Sequence, residues 1–157
     1  MGIGEAPRFL HSIFRKRLFM KTPLAVYPLG VGGYKSATFN KLWPSAYTYK
    51  LLIEKLDGIT ACRRLPMPEY LYVYECTVNA GRKVLVAFCD DHIGQNHDEP
   101  LAEMGAVIPF AGGRVQRTQI VTEIDVKEPR TDMLQAVGGR LRLRLSEYPV
   151  FLEPADR

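Results

Sequence analysis

Apolar residues recur at helical spacing in two stretches of the first third of the chain. The first stretch, residues 7–20, predicts an amphipathic helix, and a proline-bounded run over 22–29 then predicts a short strand. A Gly-rich loop follows. The second helical stretch begins at Pro44 and runs to about residue 57, where Gly58 suits the left-handed C-cap conformation. The residues expected to form its buried face are Ala46, Tyr49, Ile53 and Leu56.

The hydrophobic pattern changes to a period of two after Gly58. The predicted strands are 69–78, 83–89, 106–110, 118–126, 140–145 and 148–153. The first two strands are expected to form a hairpin in which Val78 pairs with Lys83, so that Tyr74 lies opposite Ala87. The pattern therefore predicts a mostly β fold with two N-terminal helices, divided into a segment 1–58 and an antiparallel β-sandwich over 59–157.

The length and the composition limit the possible folds. The 157 residues are too few for a complete (β/α)8 barrel, which needs roughly 200 to 250 residues. Apolar residues make up 46% of the chain and the mean hydropathy is -0.11, which is the balance of a folded chain. No apolar run approaches the roughly 20 residues that span a bilayer, so no membrane partner is expected. No signal peptide is predicted, and the sequence does not determine the localisation.

The charges are distributed unevenly along the chain. Residues 1–55 carry nine Lys and Arg against Glu5 and Glu54, whereas residues 56–157 carry twelve against fifteen Asp and Glu. This asymmetry supports the division of the chain into two parts.

Motifs of common catalytic sites do not occur in the sequence. It contains neither GxSxG nor GxxxxGK[ST], and Cys62, Cys76 and Cys89 have no CxxC spacing and are predicted to be small buried hydrophobic residues. One dense polar cluster is a candidate metal site, although its spacing matches no ligand frame and a solvated loop is the favoured alternative. Its residues are Asp90, Asp91, His92, His97, Asp98 and Glu99. No cofactor is predicted.

Several aromatic residues are candidates for stacking on sugar rings. Tyr70, Tyr72 and Tyr74 alternate onto one face of a predicted strand, and Tyr34 and Trp43 lie in the region of the Gly-rich loop. The alternative for the alternating tyrosines is a place in a core or a contact between domains, because apolar residues are expected opposite them.

Three arginines at alternate positions form a basic stripe. Arg140, Arg142 and Arg144 alternate with leucines, the pattern of a strand with one dry and one wet face. The stripe is a candidate site for anions, and its alternative is a solvated face paired with acids such as Glu123 and Asp125. Nucleic acid is not an expected partner, because basic residues and stacking aromatics are not interleaved.

Three segments carry a family resemblance. They are WPSAYTYKLLIEKLDG (43–58), YLYVYECTVNAGRKVLVAFCD (70–90) and GGRLRLRLSEYPVFLEP (138–154). Together they resemble the C-terminal end of TIM-barrel retaining glycoside hydrolases of the β-xylosidase or endoglucanase kind: a closing barrel helix, the first hairpin of an appended sandwich, and its last strands. The resemblance implies a partial β/α barrel remnant before the sandwich.

The resemblance does not extend to catalytic residues. Retaining glycosidases use two carboxyl groups roughly 5 to 5.5 Å apart, and the acid/base of the resembled enzymes commonly follows an asparagine. No Asn-Glu dipeptide occurs here, and Glu5 is the single carboxylate of residues 1–53. No catalytic residue is therefore assigned, and the chain alone is expected to be inactive.

The sequence thus predicts a non-catalytic part of a carbohydrate-active enzyme, which supports and packs on a catalytic barrel. The expected partner is the remainder of that barrel, or a second copy that meets the exposed apolar surface, with carbohydrate as a further possible ligand. Two alternatives stay open: a carbohydrate-binding module that uses the surface aromatics, and a small metal-dependent protein that uses the loop from Asp90 to Glu99.

Overall fold

The computed structural model describes residues 44–89, 103–121, 126 and 128–155. In this part of the chain one α-helix, α1 (Pro44–Leu56), precedes eight strands. The strands are β1 (Ala61–Arg64), β2 (Leu71–Val78), β3 (Arg82–Cys89), β4 (Met104–Pro109), β5 (Arg114–Gln119), β6 (Thr131–Gln135), β7 (Arg140–Leu145) and β8 (Val150–Pro154). The helix predicted over 7–20, the strand predicted over 22–29 and the Gly-rich loop lie outside the described residues.

The strands form two antiparallel sheets. The larger sheet has six strands in the order β1-β2-β3-β8-β5-β6, and the smaller sheet pairs β4 with β7. Every pairing between these strands is antiparallel. The predicted mostly β fold with antiparallel sheets is thus confirmed, as is the helix that begins at Pro44.

Two hydrophobic cores lie on opposite faces of the six-stranded sheet. The first core lies between the two sheets, where Ile108 and Leu141 of the smaller sheet meet Leu152 of the larger one. The second core lies between the sheet and α1, where Leu52 packs with Phe151. The described fold therefore has three layers: a helix, a six-stranded sheet and a two-stranded sheet. The division of the chain at residue 58 stays a prediction, because most of segment 1–58 is not described.

The predicted buried face of α1 is confirmed at Leu56 but wrong at Tyr49 and Ile53. Tyr49 and Ile53 are 52% and 51% exposed, whereas Leu51 and Leu52 are buried. The helix carries apolar residues on more than one side, so its sequence does not define a single apolar face. The side with Leu51 and Leu52 packs into the second core, and the side with Tyr49 and Ile53 faces solvent. Thr48 lies on the buried face because its hydroxyl donates a hydrogen bond of 3.3 Å to the carbonyl of Val121.

The predicted register of the first hairpin is also wrong, by one residue. Val78 pairs with Arg82, so Tyr74 lies opposite Val86 and not opposite Ala87. The loop has three residues, and Gly81 takes the left-handed conformation with φ of 76°. Three-residue hairpin loops characteristically use such a position. Because side chains alternate between faces, the one-residue change places Val86 and Phe88, not Leu85 and Ala87, on the face of the tyrosines.

Three of the strands differ from the sequence prediction. The strand predicted over 118–126 overlaps β5 (Arg114–Gln119) only at residues 118 and 119, and its residues 122–125 lie outside the described ranges. The strands β1 and β6 were not predicted. β5 has a mostly polar sequence, RVQRTQ, and is recognisable only by its buried Val115 and Thr118. The edge strands β1 and β6 are too short and too polar to show a clear period of two.

A buried carboxylate fastens α1 to the sheet. Glu153, near the end of β8, accepts hydrogen bonds from the ammonium group of Lys55 and from the guanidinium group of Arg82. Arg82 also donates a hydrogen bond of 3.4 Å to the main-chain carbonyl of Lys55, in the last turn of α1. The cluster joins the helix, the first hairpin and the central strand β8 at one point.

Candidate functional site

The structure describes three of the five predicted sugar-stacking residues. Tyr72 and Tyr74 lie on β2, while Tyr70 lies in the turn before that strand and is exposed. Tyr34 and Trp43 lie outside the described residues. The six residues of the candidate metal cluster, Asp90, Asp91, His92, His97, Asp98 and Glu99, lie outside them as well.

Tyr72 and Tyr74 form an aromatic row with Phe88 of β3. The rings of Tyr72 and Phe88 are parallel to within 5°, with centroids 5.1 Å apart. The ring of Tyr74 stacks on Phe88 with a centroid distance of 6.4 Å. On the side of β1, the guanidinium carbon of Arg64 lies 4.2 Å from the centroid of the Tyr72 ring. This is a cation–π contact, which is favourable at such distances.

The rings of the aromatic row contact other side chains of the same sheet. β1 and β3 flank β2 on opposite sides, so Arg64 and Phe88 approach Tyr72 from opposite directions. A sugar-binding platform needs an exposed ring face, whereas here Phe88 and Arg64 contact the Tyr72 ring and Phe88 also stacks on the Tyr74 ring. The row therefore stabilises strand pairing, as cross-strand aromatic pairs do. The sugar-stacking role of these tyrosines stays a prediction that this geometry does not favour.

The arginine stripe, defined as Arg140, Arg142 and Arg144, covers the outer face of the two-stranded sheet. The buried partners of these arginines along β7 are leucines that face the first core. On β4 the residues opposite the stripe are Pro109, Val107 and Gly105. None of these three carries a carboxylate, and all are exposed. The stripe therefore lies beside a row of small, uncharged residues.

The stripe contacts one described carboxylate. The guanidinium group of Arg144 lies 3.4 Å from a carboxylate oxygen of Glu103 and also donates to the main-chain carbonyl of that residue. Among the described residues, no carboxylate forms an ion pair with Arg140 or Arg142. Glu123 and Asp125, the acids expected to neutralise the stripe, lie outside the described ranges.

Three cations of the six-stranded sheet have carboxylate partners. Arg117 of β5 makes a two-point contact with Asp132 of β6, with distances of 2.8 and 2.5 Å. These hydrogen bonds hold the pKa of the Asp132 carboxyl below its usual range and raise the pKa of Arg117. Lys83 and Arg63 contact Glu75 at 2.8 and 3.0 Å, and the hydrogen bond from Lys83 is the main cause of the lowered pKa of Glu75. Arg140 and Arg142 differ from these three cations, because no described carboxylate pairs with them.

The sequence pattern indicated the arginines but not the surroundings that make them a site. The alternation over 140–145 predicts an exposed basic row, which the structure confirms. The sequence did not show which strand pairs with β7. That strand is β4, and it places glycine, valine and proline beside the arginines, where acids were expected. The signal that could have indicated this was the absence of Asp and Glu from MGAVIP.

Two further findings bear on the possible chemistry. Within 44–89, 103–121, 126 and 128–155, no group of three or more His, Cys, Asp or Glu side chains is arranged to hold a metal ion. No helix in the same part of the chain is long and apolar enough to span a membrane.

The comparisons with known proteins give no family. No family model, no curated protein and no solved structure matches this chain. The resemblance to the C-terminal end of glycoside hydrolases thus rests on the sequence segments alone.

Proposed function

We propose that this chain is a non-catalytic docking module that binds an extended acidic segment of a partner protein on its arginine stripe. The observation that carries the proposal is the position of Arg140 and Arg142. They lie on the exposed face of β7, opposite residues without charge, and no described carboxylate pairs with them. Planar guanidinium groups bind carboxylates by paired hydrogen bonds, and the two-point contact between Arg117 and Asp132 is an internal example of this geometry.

The spacing of the stripe suits an extended peptide. Alternate residues of a strand lie roughly 6.8 Å apart, so the three arginines repeat at that distance. An extended peptide with acidic residues at every second position has the same repeat, because its backbone has the same rise. The uncharged residues Gly105 and Val107 leave room for such a peptide beside the guanidinium groups.

A peptide fits the surface better than a single-stranded nucleic acid. Proteins that bind single strands combine a basic groove with aromatic side chains that stack on bases. The outer face of β4 and β7 carries Gly, Val, Pro and Arg residues and no aromatic residue. The aromatic row lies on a different sheet, with its rings engaged by one another and by Arg64.

In a narrower form of this proposal, the partner is the catalytic barrel of a glycoside hydrolase, which this chain would support. It rests on the family resemblance, together with the predicted barrel remnant in segment 1–58. The carbohydrate-binding alternative uses either Tyr70, Tyr72 and Tyr74, whose geometry does not favour it, or Tyr34 and Trp43, which lie outside the described part of the chain. The metal-dependent alternative uses the Asp90–Glu99 loop, which also lies outside it.

The proposal can be tested by the binding of a labelled peptide of alternating Glu and Thr, followed by fluorescence anisotropy at low salt. Two exposed ion pairs together contribute about 1.4 kcal/mol, so R140Q/R142Q is expected to weaken binding about tenfold. The matched control is K50Q/R130Q, which removes the same charge from exposed residues elsewhere. It is expected to change the affinity by less than about twofold, since distant exposed charges are screened.

Three outcomes would contradict the proposal. The first is no binding by the unmodified chain at low salt. The second is an equal loss in both double variants, which would mean that only net charge matters. The third is equally tight binding of a labelled single-stranded oligothymidine that the stripe variant also loses, which would identify a general site for polyanions.

A further inference from the structure

Two of the three cysteines face each other across neighbouring strands. Cys62 of the edge strand β1 is the register partner of Cys76 of β2, and their sulfur atoms lie 3.2 Å apart. Both side chains are reduced thiols and buried, on the face of the sheet that packs against α1. The third cysteine, Cys89, is also a buried thiol but belongs to the other core.

The ladder places this pair at a position that can accept a disulfide. The main-chain N–H of Leu65 donates to the carbonyl of Val73 at 2.8 Å, so that pair is hydrogen-bonded. Hydrogen-bonded and non-hydrogen-bonded pairs alternate along an antiparallel ladder, which makes the Cys62–Cys76 pair non-hydrogen-bonded. Cα atoms at such positions lie about 4.5 Å apart, within the range of about 4.4 to 6.8 Å that disulfides require.

We propose that Cys62 and Cys76 form a disulfide modification site, which low-molecular-weight disulfides such as oxidised glutathione convert to a bridge between β1 and β2. The Cys62 thiolate attacks one sulfur of the oxidant and releases one small thiol, leaving a mixed disulfide. The Cys76 thiolate then attacks the Cys62 sulfur and releases the second small thiol. The two protein thiols lose two electrons and two protons, and the oxidant becomes two thiols.

The closed fold protects the pair from this reaction. The hydrogen bond to Cys62 and burial both raise the pKa of the Cys76 thiol, so the reactive thiolate is scarce while the sheet is intact. Access requires β1 to separate from β2, and β1 is a four-residue edge strand with a single neighbour. Oxidation is therefore expected during folding or local opening of this edge.

The bridge would fix the edge that carries Arg64. That residue lies two positions after Cys62, and its guanidinium group covers the Tyr72 ring. A covalent link between β1 and β2 holds this contact in place. This inference does not depend on the proposed binding of acidic peptides, because the stripe lies on the other sheet.

The test is to refold the full chain from urea in a buffer of oxidised and reduced glutathione, block the remaining thiols with iodoacetamide in urea so that buried thiols also react, and map tryptic peptides without reduction. The expected product joins peptides 56–63 and 65–82, with Cys89 in peptide 84–114 alkylated. Because direct cross-strand neighbours react as if at high local concentration, this bridge is expected to exceed any bridge to Cys89 by about tenfold or more.

Two variants sharpen the result. C89S, which removes a buried thiol without touching the pair, is expected to give the same linked peptide. C62S is expected to leave Cys76 alkylated. Similar amounts of all three possible bridges, or alkylation of all three cysteines in the refolded unmodified chain, would overturn the inference. The readout on the unmodified chain decides the question even if a variant fails to fold.

Discussion

The ion-pair cluster of Glu153, Lys55 and Arg82 links α1 to the sheet, and substitutions in it test how much this link contributes to stability. The side chains of Glu153 and Lys55 are 7% and 13% exposed, whereas that of Arg82 is 48% exposed. Removal of one partner of a buried ion pair leaves a charge without compensation and typically costs about 3 to 5 kcal/mol. Lys55 lies in the last turn of the helix, where its long side chain can shift toward water and recover part of this loss.

We therefore expect Glu153→Gln to lower the free energy of unfolding by about 3 kcal/mol, the lower end of that range. Lys55→Met is expected to cost about 2 kcal/mol, because Glu153 retains Arg82 as a partner. Arg82→Gln is the control on the same carboxylate. It is expected to cost less than about 1 kcal/mol, as exposed ion pairs do. Urea unfolding at neutral pH, followed by circular dichroism, measures all three losses.

A double-mutant cycle separates the ion pair from other effects of the substitutions. In K55M/E153Q neither charge remains, so the loss should be smaller than the two single losses together by about 2 kcal/mol. Losses that add to within about 0.5 kcal/mol would refute the reasoning, since they would mean that the two groups act independently. A larger loss in Arg82→Gln than in Lys55→Met would refute the assigned roles of the two cations.

Three further predictions concern single residues. Phe151→Ala should cost about 3 to 5 kcal/mol in urea unfolding, because Phe151 is fully buried beneath α1, and a similar loss for the half-exposed Met133→Ala would contradict this. Arg117 lowers the pKa of folded Asp132, so Asp132 stabilises the fold above its unfolded pKa of about 3.9, and this contribution disappears as the pH falls through the folded pKa. The urea midpoints of the unmodified chain and Asp132→Asn should therefore differ at pH 7 and converge in acid; a constant difference would contradict the assignment. Ala80→Gly should stabilise the chain by roughly 0.5 to 1 kcal/mol, because Ala80 has a φ of 59°, whereas Ala61→Gly on β1 should not.

The sequence predicted elements well where periodicity and end signals agree. The helix at Pro44 has a proline in its first turn and Gly58 after its end, and it was predicted to within one residue. The alternation of Arg and Leu in β7 likewise predicted its exposed and buried faces. Where an element carries apolar residues on more than one side, as α1 does, the pattern could not select the buried face. That choice depends on the side chains that the sheet presents to the helix.

The candidate site was predictable only in part. The composition of β7 is a local property, but the uncharged neighbours Gly105 and Val107 come from a strand about 35 residues earlier in the sequence. The tyrosine alternation was visible, yet a one-residue difference in the hairpin loop changed which residues of β3 lie beside the rings. Pairing between distant strands decides both features, and a single sequence carries little information about it.

The position of β8 has a consequence for how the chain reaches its folded state. Of the described strands it comes last along the chain, yet it lies in the middle of the large sheet, between β3 and β5. During synthesis, the meander β1-β2-β3 and the hairpin β5-β6 can each form on leaving the ribosome, but they stay separate until residues 150–154 arrive. Until then both pieces present open edges to other chains, and these unfinished intermediates are the stage at which a chaperone is most useful.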